Sequence, residues 1–185
     1  AGGALAGPLW EDLLSRLGAE AEAEAEDREQ RLVGRRFGRV RIHRLLSAGG
    51  MGEVWEGYDE LLERTVAVKT LRTDRPLSSS ARARFLREAR LLSRLDHPHV
   101  CRLFDLVEAD GAEALILELV PGQTLRRRLQ ELPPMTGEEK LALVAQIASG
   151  LAAAHEAGVI HRDLKPANVM IGPQGEVKLI DFGIA

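Results

Sequence analysis

The sequence is short of cysteine and of long apolar runs, and each shortage excludes a class of protein. Cys101 is the only cysteine among 185 residues, so no disulfide can form within the chain, which fits a reducing compartment. The most apolar stretch, residues 141–154, is too short to span a bilayer and is interrupted by Gln146, Ser149 and Gly150. No secretory signal is recognisable. We therefore expect a cytoplasmic protein with no membrane segment in this chain, although a downstream segment could anchor the full-length protein.

An excess of charge of one sign is also missing. The 25 basic and 28 acidic residues give a formal net charge of −3. A chain so near neutrality predicts neither a nucleic-acid partner nor an anionic membrane surface. Its length and its 45% hydrophobic content fit one globular domain with a sizeable core. Cys101 precedes an apolar segment, and we expect it to be a small buried hydrophobe there.

The first 36 residues differ in composition from the remainder. Leu9, Leu13 and Leu17 recur at helical spacing, and residues 19–26 alternate alanine with glutamate. Alanine and glutamate favour helix over strand. We predict a helical extension or linker over residues 1–36. Its leucine face could dock a partner, or the segment could be a flanking extension without a specific function.

From Phe37 onward the order of elements is strands, one helix, more strands, a break and then helices. The predicted strands begin near Val40, Val54, Thr65, Val100, Ala114, Val159, Val169 and Val177, and the predicted helices cover residues 81–95, 124–131 and 138–156. The last helix is apolar nearly all round, so we expect it to be buried. The pattern predicts an α+β fold, with a β-rich N-terminal lobe over residues 37–120 and the beginning of a helical C-terminal lobe over residues 121–185.

A glycine-rich segment lies between the first two long strands. It consists of Ser47, Ala48, Gly49, Gly50, Met51, Gly52, Glu53 and Val54. Glycines let backbone amides approach phosphate oxygens without an intervening Cβ, so we predict a phosphate cradle. A plain hairpin turn is the alternative. Compared with the pattern G-x-G-x-x-G-x-V, Ser47 replaces the first glycine, while Gly49 and Gly52 remain.

A lysine interrupts the apolar strand that follows the glycine-rich segment. Lys69 shares one strand face with Ala67. A lysine inside a sheet requires a partner. We predict that the partner is Glu88, which lies on the apolar face of the following helix and would direct Lys69 toward the phosphates of a nucleotide. The alternative is that Glu88 is an exposed helix carboxylate.

The most specific motif is His-Arg-Asp-Leu-Lys-Pro-Ala-Asn at residues 161–168, followed by Asp-Phe-Gly at residues 181–183. Asp163 can accept a hydrogen bond from a substrate hydroxyl, and Lys165 can offset the charge of a transferring phosphate. The side-chain oxygens of Asn168 and Asp181 are hard ligands that suit Mg²⁺. Together with the glycine-rich segment and Lys69, these residues provide every part that phosphoryl transfer from ATP needs.

These motifs resemble the eukaryotic-type protein kinase family, and most of all its bacterial Ser/Thr kinases. The resemblance covers about residues 37–185. It implies ATP and Mg²⁺ as cofactors, Ser or Thr hydroxyls of proteins as substrates, and Asp163 as the catalytic carboxylate. Lys165, two residues after Asp163, is the residue that Ser/Thr kinases have at this position.

The resemblance also implies an adenine site and an internal hydrophobic column. Leu46, Val54, Ala67 and Met170 would enclose the adenine. Glu118 and Val120 would offer backbone groups to its edge, with Leu117 as gatekeeper. The column would consist of Leu92, Leu103, His161 and Phe182.

In the family, an activation segment and further helices follow the position of Ala185. We therefore expect this sequence to be a fragment of a longer protein, with a dimer or a C-terminal lobe supplied in trans as the alternative. The leading hypothesis is a protein Ser/Thr kinase. The alternatives are an ATP-binding but catalytically incompetent regulatory module, and an interaction scaffold built on residues 1–36. Three arginines at residues 126–128 could recognise an acidic substrate or a phosphorylated loop, or form a solvated helix face.

Overall fold

A computed structural model describes residues 32–49, 52–70, 79–109 and 112–182. Most of the predicted extension over residues 1–36 lies outside these ranges, as do Gly50, Met51 and Gly183. The domain boundaries assigned from the sequence therefore stay a prediction.

The N-terminal part is a six-stranded antiparallel sheet with strand order β1-β2-β3-β4-β6-β5. Its strands are β1 Arg36–Phe37, β2 Val40–Gly49, β3 Gly52–Asp59, β4 Arg64–Thr70, β5 Leu103–Ala109 and β6 Ala112–Glu118. One helix, α1 Ser79–Leu92, connects β4 to β5. The predicted order of strands, one helix and strands is thus confirmed.

The second part combines two helices with a small antiparallel sheet of order β7-β8-β9. Its elements are β7 Gln123–Thr124, α2 Leu125–Arg128, α3 Gly137–Glu156, a 3₁₀ turn Pro166–Asn168, β8 Val169–Ile171 and β9 Val177–Leu179. Helix α3 begins with a capping box, in which Thr136 and Glu139 exchange hydrogen bonds between side chain and backbone.

Two apolar clusters pack against the large sheet. One contains Phe37, Val40, Ile42, Trp55, Val66, Val68, Ala114 and Ile116. The other joins α1 and the β5–β6 hairpin to the second part through Phe85, Leu92, Leu103, Leu115, Leu179 and Phe182, among others. Burial of this second cluster holds the two parts together, so the cleft between them has defined walls.

The turn between β3 and β4 depends on a buried carboxylate. Asp59 is fully buried, and its Oδ1 accepts hydrogen bonds from the N–H groups of Leu61 and Leu62. Its Oδ2 lies 3.0 Å from Nε of Arg39. Burial alone would raise the pKa of Asp59, but the hydrogen bonds from Leu62, Arg39 and Leu61 outweigh burial and lower it.

Some sequence-based predictions about local elements are wrong. Residues 159–161 are not a strand, and β5 begins at Leu103 rather than near Val100, which forms an isolated parallel bridge with Leu179. Helix α2 ends at Arg128 rather than at residue 131. Propensity alone did not reveal these limits, because tertiary contacts determine where short elements end.

Among the described residues, helix α3 is buried along one side. Leu143, Gly150 and Ala154 are its buried residues, whereas Leu141 and Val144 are 72% and 59% exposed. The reason is that α3 packs against β9 along one side.

Candidate active site

A cleft of about 930 Å³ lies between the large sheet and the second part. Strands β2, β3 and β4 form its upper wall, and the segment that links β6 to α2 forms its back. Of the residues predicted to bind the nucleotide or metal or to act in transfer, those that line the cleft are Leu46, Ser47, Ala48, Val54, Ala67, Lys69, Glu118, Val120, Lys165, Asn168, Met170 and Asp181.

The glycine-rich segment is the tip of the β2–β3 hairpin, and Gly49 pairs with Gly52 there. Gly52 has a φ of +126°, and a Cβ at this position would lie 2.3 Å from the carbonyl oxygen of Thr70. Only glycine therefore allows the hairpin to lie so close to β4. Gly50 and Met51 lie outside the described residues.

The linking segment presents its backbone to the cleft near the predicted adenine residues. The Glu118 N–H donates to the carbonyl of Arg102 at 2.9 Å, and the Glu118 carboxylate lies 2.7 Å from Nζ of Lys178. Within the part of the chain that the structure describes, the Val120 N–H has no hydrogen-bond partner. The Val120 N–H can thus donate to a ligand, whereas the Glu118 N–H already donates to Arg102.

Lys69 enters the cleft from β4 and meets the aspartate of the Asp-Phe-Gly motif. Its side chain is 10% exposed, and its Nζ lies 3.0 Å from Oδ1 of Asp181. Asp181 has a φ of +56°, which is uncommon for a residue other than glycine. This left-handed conformation is a feature typical of functional loops.

Glu88 does not pair with Lys69, so the predicted ion pair between them is wrong. Glu88 Oε1 instead lies 2.5 Å from Nη1 of Arg162, the arginine of the His-Arg-Asp motif. A partly buried carboxylate requires a cation. Glu88 has Arg162 as its cation, and Asp181 has Lys69. The sequence motif contains Arg162 but gives no sign that it faces Glu88.

Residues 161–168, here called the catalytic loop, bring three predicted residues into direct contact. Nδ2 of the buried Asn168 donates to the carbonyl oxygen and to Oδ2 of Asp163, at 2.9 and 3.0 Å. Nζ of Lys165 lies 2.7 Å from the same Oδ2. The hydrogen bond from Lys165, aided by that from Asn168, lowers the pKa of Asp163 below its ordinary value. Asp163 is therefore a carboxylate at neutral pH.

His161 joins the catalytic loop to the Asp-Phe-Gly segment. Its buried ring lies 4.5 Å from the ring of Phe182, and its Nε2 forms a hydrogen bond with the carbonyl oxygen of Ile180 at 2.9 Å. Burial lowers the pKa of His161, which favours the neutral imidazole. Phe182 also belongs to the same core cluster as Leu92 and Leu103, so all four predicted members of the column lie in this region.

The cleft contains residues that the sequence analysis did not place there. Arg126 and Arg127 of α2 line the cleft. From the sequence, these arginines could also have formed a solvated helix face. Cys101 also borders the cleft while being 6% exposed, as expected of a buried hydrophobe. Burial, and next the charge of Glu118, raise the pKa of the Cys101 thiol to about 12.

Comparison with known proteins agrees with this geometry. The family described as "Protein kinase domain" matches residues 40–185. The serine/threonine-protein kinase PrkC of Bacillus subtilis is 40% identical over 155 residues, which are 83% of this chain and 24% of PrkC. The serine/threonine-protein kinase PknH of Mycobacterium tuberculosis strain H37Rv is 43% identical over 159 residues, 86% of this chain and 25% of PknH.

The fold has solved counterparts as well. The crystal structure of the PknI kinase domain of Mycobacterium tuberculosis superposes with a TM-score of 0.73 at 32% identity, over 83% of this chain and 63% of that domain. This chain belongs to the protein kinase family, and the relatives it resembles are bacterial Ser/Thr kinases. It spans about a quarter of the length of the curated relatives named above. Among the described residues, no helix is both long and apolar enough to cross a membrane.

Proposed function

We propose that the protein containing this chain transfers the γ-phosphate of ATP to Ser and Thr hydroxyls of proteins. The observation that supports this most directly is that Lys69, Lys165, Asn168 and Asp181 line one cleft, while Asp163 contacts both Lys165 and Asn168. Each of these groups matches one requirement of phosphoryl transfer. The Ser/Thr specificity is inferred from Lys165 and from the similarity to the serine/threonine-protein kinases PrkC and PknH.

Asp163 acts as the carboxylate that orients the substrate hydroxyl. Its lowered pKa keeps it ionised and able to accept the hydroxyl hydrogen bond. Lys165 already lies against Asp163 Oδ2 and offsets negative charge near the transferred group. Lys69 contributes a second cation from the opposite wall of the cleft.

Asn168 and Asp181 fit a magnesium site. Asn168 uses its Nδ2 for Asp163, which leaves its Oδ1 for a cation. Asp181 shares Oδ1 with Lys69 and retains Oδ2. An amide oxygen, a carboxylate oxygen and phosphate oxygens of a nucleotide are all ligands that Mg²⁺ accepts. Bound Mg²⁺ would offset the charge of those phosphates.

The second candidate is a nucleotide-binding module that does not catalyse transfer. The pairing of Glu88 with Arg162 instead of Lys69 favours it, because Lys69 is then held by Asp181 rather than by the helix. Both candidates keep ATP as the ligand. They differ in whether phosphate reaches a protein hydroxyl.

The test is ATP-dependent labelling of a generic protein substrate by the product of the complete reading frame that contains this sequence. Lys69→Met is expected to lower the rate by at least about 10²-fold. The exposed Arg94→Ala, after α1, serves as the control and is expected to retain the wild-type rate. ATP binding by the wild type without any transfer would favour the non-catalytic module.

A further inference from the structure

The short helix α2 presents three consecutive arginines in different directions. Nη1 of Arg128 donates to the carbonyl of Pro133 at 3.2 Å, and Arg128 does not border the main cleft. Arg127 lies 3.5 Å from Glu131 in an exposed pair. Arg126 has no acidic partner within the described residues. Its exposed side chain lines the main cleft.

Arg126 is also close to the catalytic loop. Helix α2 packs against the 3₁₀ turn Pro166–Asn168, and Arg126 and Arg127 line the same cleft as Lys165 and Ala167. This wall of the cleft thus includes Lys165, whose Nζ lies 2.7 Å from Oδ2 of Asp163.

Arg127 and Lys165 each have a carboxylate partner on this wall, whereas none is found for Arg126 among the described residues. Lys165 already neutralises Asp163, and Ala167 adds no charge between them. Thr124 uses its hydroxyl to cap α2 by accepting from the Arg127 N–H. A basic residue of a substrate would be repelled here, and a carboxylate would be attracted.

We infer that Arg126, assisted by Arg127, is a specificity-determining residue that selects protein substrates with Asp or Glu close to the accepting hydroxyl. This inference rests on the proposed function and adds the class of substrate to it. An exposed guanidinium–carboxylate pair discriminates by up to about fivefold in kcat/KM, and the second arginine extends this to about tenfold.

The experiment uses the product of the complete reading frame and three sets of serine peptides, in which the flanking residues are acidic, neutral or basic on either side of the serine. We expect kcat/KM for the best acidic set to exceed that for the neutral set by about tenfold. Arg126→Glu is expected to remove this preference. Arg128→Ala, on the same helix but outside the cleft, is the matched control and is expected to keep it.

The outcomes separate this inference from the proposed function. If the wild type phosphorylates peptides without favouring acidic ones, or if Arg126→Glu keeps the acidic preference, Arg126 does not set specificity, although the kinase activity stands. If Arg126→Glu raises KM for ATP and leaves the ratio of kcat/KM between acidic and neutral peptides unchanged, Arg126 binds the nucleotide and the inference is wrong. If the wild type phosphorylates no peptide or protein at all, the proposed function fails and the inference fails with it.

Discussion

Arg162 and Glu88 form an ion pair that connects the catalytic loop to helix α1, with 2.5 Å between Nη1 and Oε1. Lys69, which the sequence assigns to Glu88, pairs with Asp181 at 3.0 Å instead. The two carboxylates and two cations thus form two separate pairs, and the Lys69–Asp181 pair lines the cleft. In this arrangement, α1 is tied to the second part of the molecule rather than to β4.

Double-mutant cycles can measure the coupling free energy within each of these ion pairs. We expect a coupling free energy of about 0.5–1 kcal/mol between Glu88→Gln and Arg162→Gln, because both side chains are partly exposed. Coupling between Glu88→Gln and Lys69→Met should be close to zero without nucleotide. Amide hydrogen exchange in α1 gives the free energy of opening of this helix in each variant, and the coupling free energy is calculated from these values. A larger coupling of Glu88 with Lys69 than with Arg162 would show that the pairing described here is not the one in solution.

Replacement of Asp59 should weaken the large sheet in a pH-dependent manner. Asp59→Asn loses the ion pair with Arg39 and is expected to cost about 1–2 kcal/mol at pH 7. Because the pKa of Asp59 is lowered on folding, its stabilisation is present above its unfolded pKa of about 3.9 and is lost as the pH falls through the folded value. Hydrogen exchange in β3 and β4 should therefore differ between wild type and variant at pH 7, and less so in acid.

The control for this experiment is Asp96→Asn. Asp96 pairs with Arg102 at the surface and is largely exposed, so its replacement should change stability by less than about 0.5 kcal/mol. An Asp59→Asn effect as small as that of Asp96→Asn would contradict the structural role of the buried carboxylate.

Two glycines of α3 should respond oppositely to alanine. A Cβ at Gly150 would lie 2.9 Å from the carbonyl oxygen of His99 and 3.0 Å from Leu179 Cδ1, whereas nothing lies within 4 Å of a Cβ at Gly137. We expect Gly150→Ala to destabilise the protein by about 1–3 kcal/mol, which exceeds the helix propensity gain of about 1 kcal/mol. Gly137→Ala should be neutral or stabilising. Thermal unfolding of both variants tests this, and a stabilised Gly150→Ala would mean that α3 does not approach β9 so closely.

Cys101 should resist thiol reagents while the protein is folded. With a pKa of about 12, about one thiol in ten thousand is ionised at pH 8. Labelling by iodoacetamide should therefore be very slow in buffer and fast in denaturant. Rapid labelling of the native protein would show that Cys101 is not buried beside the cleft.

Most of the fold and of the site follow from local sequence patterns. Alternation and the break at Pro121-Gly122 predict a β-rich first part and the succession of strands and helices along the chain. The motif at residues 161–168 predicts the Asp163 cluster, because its members are close in sequence. The partners of Lys69 and Glu88 are not predicted, because they depend on how α1 and the second part pack against each other.

The exposed side of α3 and the direction of α2 were likewise outside the reach of the sequence. Leu141 and Val144 have the apolar pattern of a buried helix, but burial depends on which elements pack against each side. Arg126 and Arg127 have the composition of a solvated face, and only the packing of α2 against the catalytic loop brings them to the cleft.

The role of Asp163 is tested by transfer of the γ-phosphate from labelled ATP to protein, with the wild type and Asp163→Asn both made from the complete reading frame. We expect label on Ser and Thr with the wild type, a rate at least about 10²-fold lower with Asp163→Asn, and unchanged ATP affinity in that variant. Wild-type transfer that survives Asp163→Asn undiminished would contradict the assignment of Asp163 and of the catalytic loop built around it.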